Sequence, residues 1–170
     1  MIGAAIVFVL VTLNRWGMRP AKYRDLDTPR LRSLLELLFV RGQDGGYLHV
    51  GLIGSPRFLR VYKYICRPEE VELRAHIPQE TYADRGLEPT KEALDAAGFS
   101  PSLRNSATGI GSADDLVVNC GPGISRAVVV LEFLLRDVLQ LDPERQCIAH
   151  IANAHPNPWA HPGFAARPDL

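Results

Sequence analysis

The sequence predicts an α+β domain in which an antiparallel β-sheet, a three-strand meander plus two further strands, carries its helices on one face in the order α-βββ-α-ββ-α. Three observations carry this. Apolar residues recur with helical spacing in well-separated stretches and with a period of two between them. Glycine and proline clusters punctuate the changes of period. Strands follow one another through short turns, which builds an antiparallel rather than a parallel sheet.

Asp27-Thr28-Pro29 reads as a helix N-cap with proline in the first turn, and Leu31, Leu34, Leu35 and Leu38 then share one face up to Gly42, predicting a helix over 28–41. After Gln43-Asp44-Gly45-Gly46, Leu48, Val50 and Leu52 alternate until Gly54-Ser55-Pro56. Its hairpin partner is 57–65, with Leu59, Val61 and Ile65 on one face and Phe58, Arg60, Tyr62 and Tyr64 on the other. A third strand alternates Val71, Leu73, Ala75 and Ile77 with Glu72, Arg74 and His76. Residues 79–89 read as irregular, 90–97 as a short helix closed by Gly98 and covered by Phe99, 102–108 as a weak strand and 115–120 as a stronger one. Gly121-Pro122-Gly123 turns the chain into the longest helix, 124–138, and 147–151 reads as an edge strand. These elements bound a domain over 27–151, with an apolar segment and basic linker at 1–26 and a proline-rich tail at 152–170.

The charge balance is neutral, 19 basic against 19 acidic residues, which speaks against a nucleic-acid partner. Three cysteines fit no disulfide framework and suggest a reducing, cytoplasmic location. The apolar run 2–13 is short for a membrane span and lacks the marks of a secretory signal. It is open to three readings: a signal anchor giving membrane association, a segment buried in this domain or against a partner, or an over-extended start with Met18 as the alternative. From Glu69 to Asp95 eight acidic residues face three basic ones, whereas 15–32 is basic, a pattern suited to docking or to ordinary solvated faces.

The strings Arg57-Phe58-Leu59-Arg60-Val61-Tyr62-Lys63, Leu94-Asp95-Ala96-Ala97-Gly98-Phe99 and Leu131 to Leu141, taken with the order of elements over 28–142, resemble the type III secretion chaperone-like superfamily, including the bacterial YbjN and TY-Chap-type domains. The resemblance implies a non-enzymatic, chaperone- or adaptor-like domain that holds a segment of another protein against its sheet and is commonly a homodimer through its helices. Period-two aromatics suit such binding, so Phe58, Tyr62 and Tyr64 are the candidate binding face. The first half of the long helix is apolar almost all round, making Val129, Val130 and Phe133 candidates for dimerisation.

One stretch resembles an active site. Asn119 to Ala127 contains Cys-x5-Arg between an apolar strand and a long helix, as in the phosphate loop of cysteine-dependent tyrosine and dual-specificity phosphatases. There Cys120 would be the nucleophile and Arg126 the anion clamp. The match departs from that family at Asn119 and Ala127, at Pro122, which removes a loop N–H, and in lacking a Trp-Pro-Asp-like acid loop. This enzyme is the alternative to the binding domain. Cys147, His150, His155 and His161 have metal-donor chemistry but no tight-site spacing, so no metal and no cofactor is expected.

Overall fold

The computed structural model describes residues 21–23, 26–67, 70–104, 115–141 and 147–154. Their elements are β1 (Ala21–Tyr23), α1 (Thr28–Arg41), β2 (Gly42–Leu52), β3 (Phe58–Arg67), β4 (Glu70–Ile77), α2 (Gln79–Tyr82), α3 (Leu87–Ala96), β5 (Pro101–Arg104), β6 (Asp115–Gly121), α4 (Ile124–Phe133) and β7 (Cys147–Ala154). The seven strands form one antiparallel sheet in the order β1-β7-β2-β3-β4-β6-β5. The fold is α+β, as the sequence predicts.

The first helix runs over the predicted span. The Asp27 side chain accepts from the Arg30 N–H at 3.0 Å, and Leu31, Leu34, Leu35 and Leu38 are its buried stripe. They meet Leu48, Val50, Leu59, Val61, Leu73, Ala75, Ile77, Leu116 and Val118 from the sheet, while α4 adds Ala127, Val128, Val130 and Leu131 to the same core. Leu94 of α3 and Phe99 behind it join this core, so among the described residues the helices gather on one face. Phe99 meets the Phe133 ring edge-on at 5.4 Å.

Four expectations change. The strand at 147–151 lies inside the sheet, between β1 and β2, and reaches Ala154. Its near-continuous run of small and apolar residues suits two strand neighbours. The linker before residue 27 contains β1, which pairs with β7 and extends the sheet beyond the predicted domain limit. The stretch 79–89 is largely helical, because α3 starts at Leu87 with Pro89 in its first turn, where a missing N–H leaves no bond unmade. The long helix changes pitch after Phe133 into a π-helical turn over Leu134–Val138. That turn closes with the Leu139 N–H on the Leu134 carbonyl and the Leu141 N–H on the Leu135 carbonyl, both at 2.7 Å, around Gln140 at φ 55°. Two arginines complete it: Arg57 donates to the Val138 carbonyl and Arg85 to the Asp137 carbonyl.

A buried cation ties three elements together. Lys63 stands on the core face of β3 at 2% exposure and donates to the Phe39 carbonyl at 2.5 Å and the Gly42 carbonyl at 2.8 Å. Helix C-termini leave their last carbonyls without partners, and a cation there also opposes the negative end of the dipole. Gly42 allows the sharp passage from α1 into β2, since a Cβ there would stand 2.4 Å from the Leu38 carbonyl oxygen.

Burial pushes the Lys63 ammonium down from 10.5 to about 8, against a smaller upward pull from Asp44. Its folded value lies below its unfolded one, so the unfolded chain binds the extra proton between those values. Stability contributed at this site is therefore lowest below about pH 8 and rises towards pH 10.5. The unfolding free energy of the parent chain relative to Lys63→Met should climb across this window, by on the order of 3 kcal/mol at most. Urea denaturation of both proteins at several pH values checks it; a constant difference would show that Lys63 does not titrate with folding.

Candidate functional site

Strand side chains alternate between faces, so with the described helices on one face of this sheet the other, helix-free among the described residues, is formed by β-strand side chains. There, pairing aligns His150, His49, Arg60 and His76 directly across β7, β2, β3 and β4, and Tyr47, Tyr62 and Arg74 in the adjacent row. The candidate binding residues Phe58, Tyr62 and Tyr64 lie together on this face, as their period requires.

They belong to a larger layer of rings. Tyr47 and Tyr62 have centroids 5.1 Å apart, Tyr62 and Tyr64 6.1 Å, Tyr62 and His76 4.6 Å. His49 stacks on Phe58 at 5.0 Å and meets His150 at 4.9 Å. Gly51, opposite Phe58, leaves room for this stack, since a Cβ there would come within 3.0 Å of His49 Nε2. Two guanidinium groups lie on the rings: Arg60 is 4.7 Å from the Phe58 centroid and 5.3 Å from that of Tyr47, and Arg74 is 4.7 Å from that of Tyr64. Such contacts hold a cation over an aromatic face.

The polar links are sparse. Arg74 forms an ion pair with Glu72 at 2.8 Å, and Arg104 donates to the Tyr64 hydroxyl at 3.3 Å. The Tyr64 hydroxyl is 3.5 Å from His76 Nε2, and His76 Nδ1 is 3.7 Å from Asp115. Burial, and then the positive charges of Arg104, Arg74 and Arg60, hold His76 down at about 4. Burial, His150 and Arg60 do the same to His49, also at about 4, while burial and Arg60 lower His150. At about 4, His49 and His76 are neutral at pH 7 for these reasons. Burial and Glu80 raise Asp115, against the pull of Arg60 and Arg104.

The Cys-x5-Arg stretch is arranged differently. Cys120 points into the core at 1% exposure, whereas Arg126 is exposed on α4. Burial pushes the thiol up to about 11, and the weaker influences of the Ala75 backbone and Arg126 do not reverse this. A phosphatase nucleophile needs the opposite, a thiolate held near neutral pH beside its anion. Gly123 caps α4 without a side chain, and Gly121 at φ 70° turns the strand away from it.

The remaining candidates also separate. Val130 lies in the core at 0% exposure and Phe133 is half-buried against Phe99, leaving Val129, 55% exposed, as the outward member of the dimerisation set. Cys147 faces the core while His150 is on the opposite face, and His155 and His161 lie outside the described residues, as does the apolar run 2–13. Among the described residues no group of three metal donors forms, and no helix is long and apolar enough to cross a membrane. A hollow of about 260 Å³ beside Arg57, Thr81, Asp84, Arg85, Val138 and Gln140 surrounds the π-helical turn that those two arginines cap.

Sequence reasoning found Phe58, Tyr62 and Tyr64 but missed Tyr47, His49 and His150. Alternation about Leu48 and Val50 places Tyr47 and His49 opposite the core; that signal was available. The place of His150 depended on β7 entering the sheet beside β2.

Two outcomes follow from these environments. The folded values of His49, His76 and His150 lie below the ordinary 6.5, so unfolding takes up protons and stability falls as pH drops from about 6.5 towards 4. Urea midpoints should fall across that window, and fall less for His76→Gln; equal slopes would contradict the burial argument. Iodoacetamide should label the exposed Cys66 in the native chain and reach Cys120 and Cys147 only on unfolding, as mass spectrometry of the alkylated peptides reports. Fast native labelling of Cys120 would overturn its placement. No protein-family model, curated protein or solved structure matches this chain, and the functional reading rests on its geometry.

Proposed function

We propose that the chain is a non-enzymatic protein-binding domain, chaperone- or adaptor-like, that holds a segment of a partner protein against the helix-free face of its sheet. The observation that supports this reading is the continuous ring layer from Phe58 through His49, His150, Tyr47 and Tyr62 to Tyr64. Rigid aromatic side chains lose little conformational entropy on binding and supply large contact areas, the composition typical of interface centres. The rings stand on β2, β3 and β7, inside the sheet and away from its edge strands β1 and β5. In this reading the side chains of the face carry the recognition. Holding a partner segment on the sheet is also what the chaperone-like resemblance implies. The phosphatase alternative has only the spacing of Cys120 and Arg126 behind it.

Short peptides selected from a displayed random library on the full chain provide the test. Phe58→Ala and Tyr62→Ala should each weaken the selected peptides by at least about tenfold, the scale of a hot-spot truncation. Val129→Glu, on the far side of the sheet, should change binding by less than about twofold. Selection of no peptide that distinguishes the parent from Tyr62→Ala would overturn the reading.

A further inference from the structure

We infer that Arg60 is the anion-recognition point of the helix-free face, and that the partner segment held there presents a carboxylate side chain, aspartate or glutamate, between apolar residues. This rests on the protein-binding reading above and names the chemistry of its partner.

Arg60 is at the centre of the row that pairs His49 on one side and His76 on the other. Its guanidinium is laid over the Phe58 and Tyr47 rings, which fix its plane and shield it from water. Yet its hydrogen-bonding capacity is almost unused. Nε is buried without an acceptor, and the group's contact with the Tyr62 hydroxyl is long, at 3.5 Å. Among the described residues no carboxylate lies within 4 Å of Arg60; Glu72 is engaged by Arg74 and Asp115 stands beside His76. A second polar atom on the row has the same character, because His150 Nδ1 is also buried without a partner.

Buried donors without acceptors are costly, and a guanidinium is the side chain whose planar fork matches a carboxylate through two parallel hydrogen bonds. An incoming carboxylate would satisfy Arg60 while the surrounding rings receive its apolar neighbours and exclude water. The imidazole of His49, beside Arg60 in the row, can donate its one N–H without adding charge. The carboxylates of Glu72 and Asp115 on the same face, and a chain with no net charge, favour a segment with a single carboxylate over a nucleic acid, whose binding grows with the number of phosphates neutralised.

The test titrates the full, isotope-labelled chain with acetyl-Phe-Glu-Phe-amide and with its glutamine counterpart, following the Arg60 Nε–Hε signal. The glutamate peptide should shift that signal saturably and bind at least about tenfold tighter than the glutamine peptide, the scale of a charge-assisted bond. Arg60→Met, which keeps the apolar stem, should abolish the preference, and Arg60→Lys should keep part of it; thermal unfolding of each variant confirms that it folds. Equal affinity of the two peptides, or a glutamate preference surviving Arg60→Met, overturns the inference and leaves the binding domain standing. If neither peptide binds while inorganic phosphate moves the Arg60 signal, the protein-binding reading fails instead. No response of the signal to peptides or phosphate overturns the anion point, and tighter binding of a uridine oligonucleotide than of the glutamate peptide overturns the choice of partner.

Discussion

A sheet whose described helices all lie on one face presents strand side chains on the other, and the period of two makes that division strict. Here the core face is Leu48, Val50, Leu59, Val61, Leu73, Ala75 and Ile77, and the same strands send Tyr47, His49, Phe58, Arg60, Tyr62, Arg74 and His76 the other way. A slip of one residue in β3 would exchange Leu59 and Val61 for Arg60 and Tyr62 in the core. Register is thus specified by both faces at once, and the aromatic layer is part of what holds the strands in place. The layer's binding chemistry and the fold's stability share their residues.

Lys63 is the exception to the alternation and shows what the core can tolerate. It occupies a core position of β3 because the end of α1 offers carbonyls that otherwise have no partner. The lysine joins helix, corner and strand at the point where Gly42 lets the chain turn from one into the other. On the opposite face Arg60, three residues earlier, is half-buried, and its enclosed Nε has no acceptor among the described residues. The contrast between these two cations, one satisfied within the chain and one not, separates a structural residue from a recognition residue.

Much of this was legible in the sequence. Asp27, the leucine repeat and Gly42 gave α1 its limits, and alternation assigned Phe58, Tyr62 and Tyr64 to the face opposite the core. What was not legible depends on long-range pairing. The composition of Cys147–Ala154 suits an inner strand but does not name the strands that flank it, so the neighbourhood of His49 and His150 could not be foreseen. Val130 was placed on an outer surface because a helix apolar all round has no unique buried side until its neighbours are known. The Cys-x5-Arg spacing likewise says nothing of which way the Cys120 side chain points, and β6 alternation turns it into the core between Val118 and the helices.

The central claim is that the helix-free face receives a partner segment, and hydroxyl-radical footprinting of the full chain with and without a selected peptide tests it most directly. The account predicts that Phe58, Tyr62 and Tyr64 are oxidised in the free protein and protected together when the peptide is bound, with Val129 unchanged. Rings that are inert in the free chain, or protection that falls on α4 and spares β3, would contradict it.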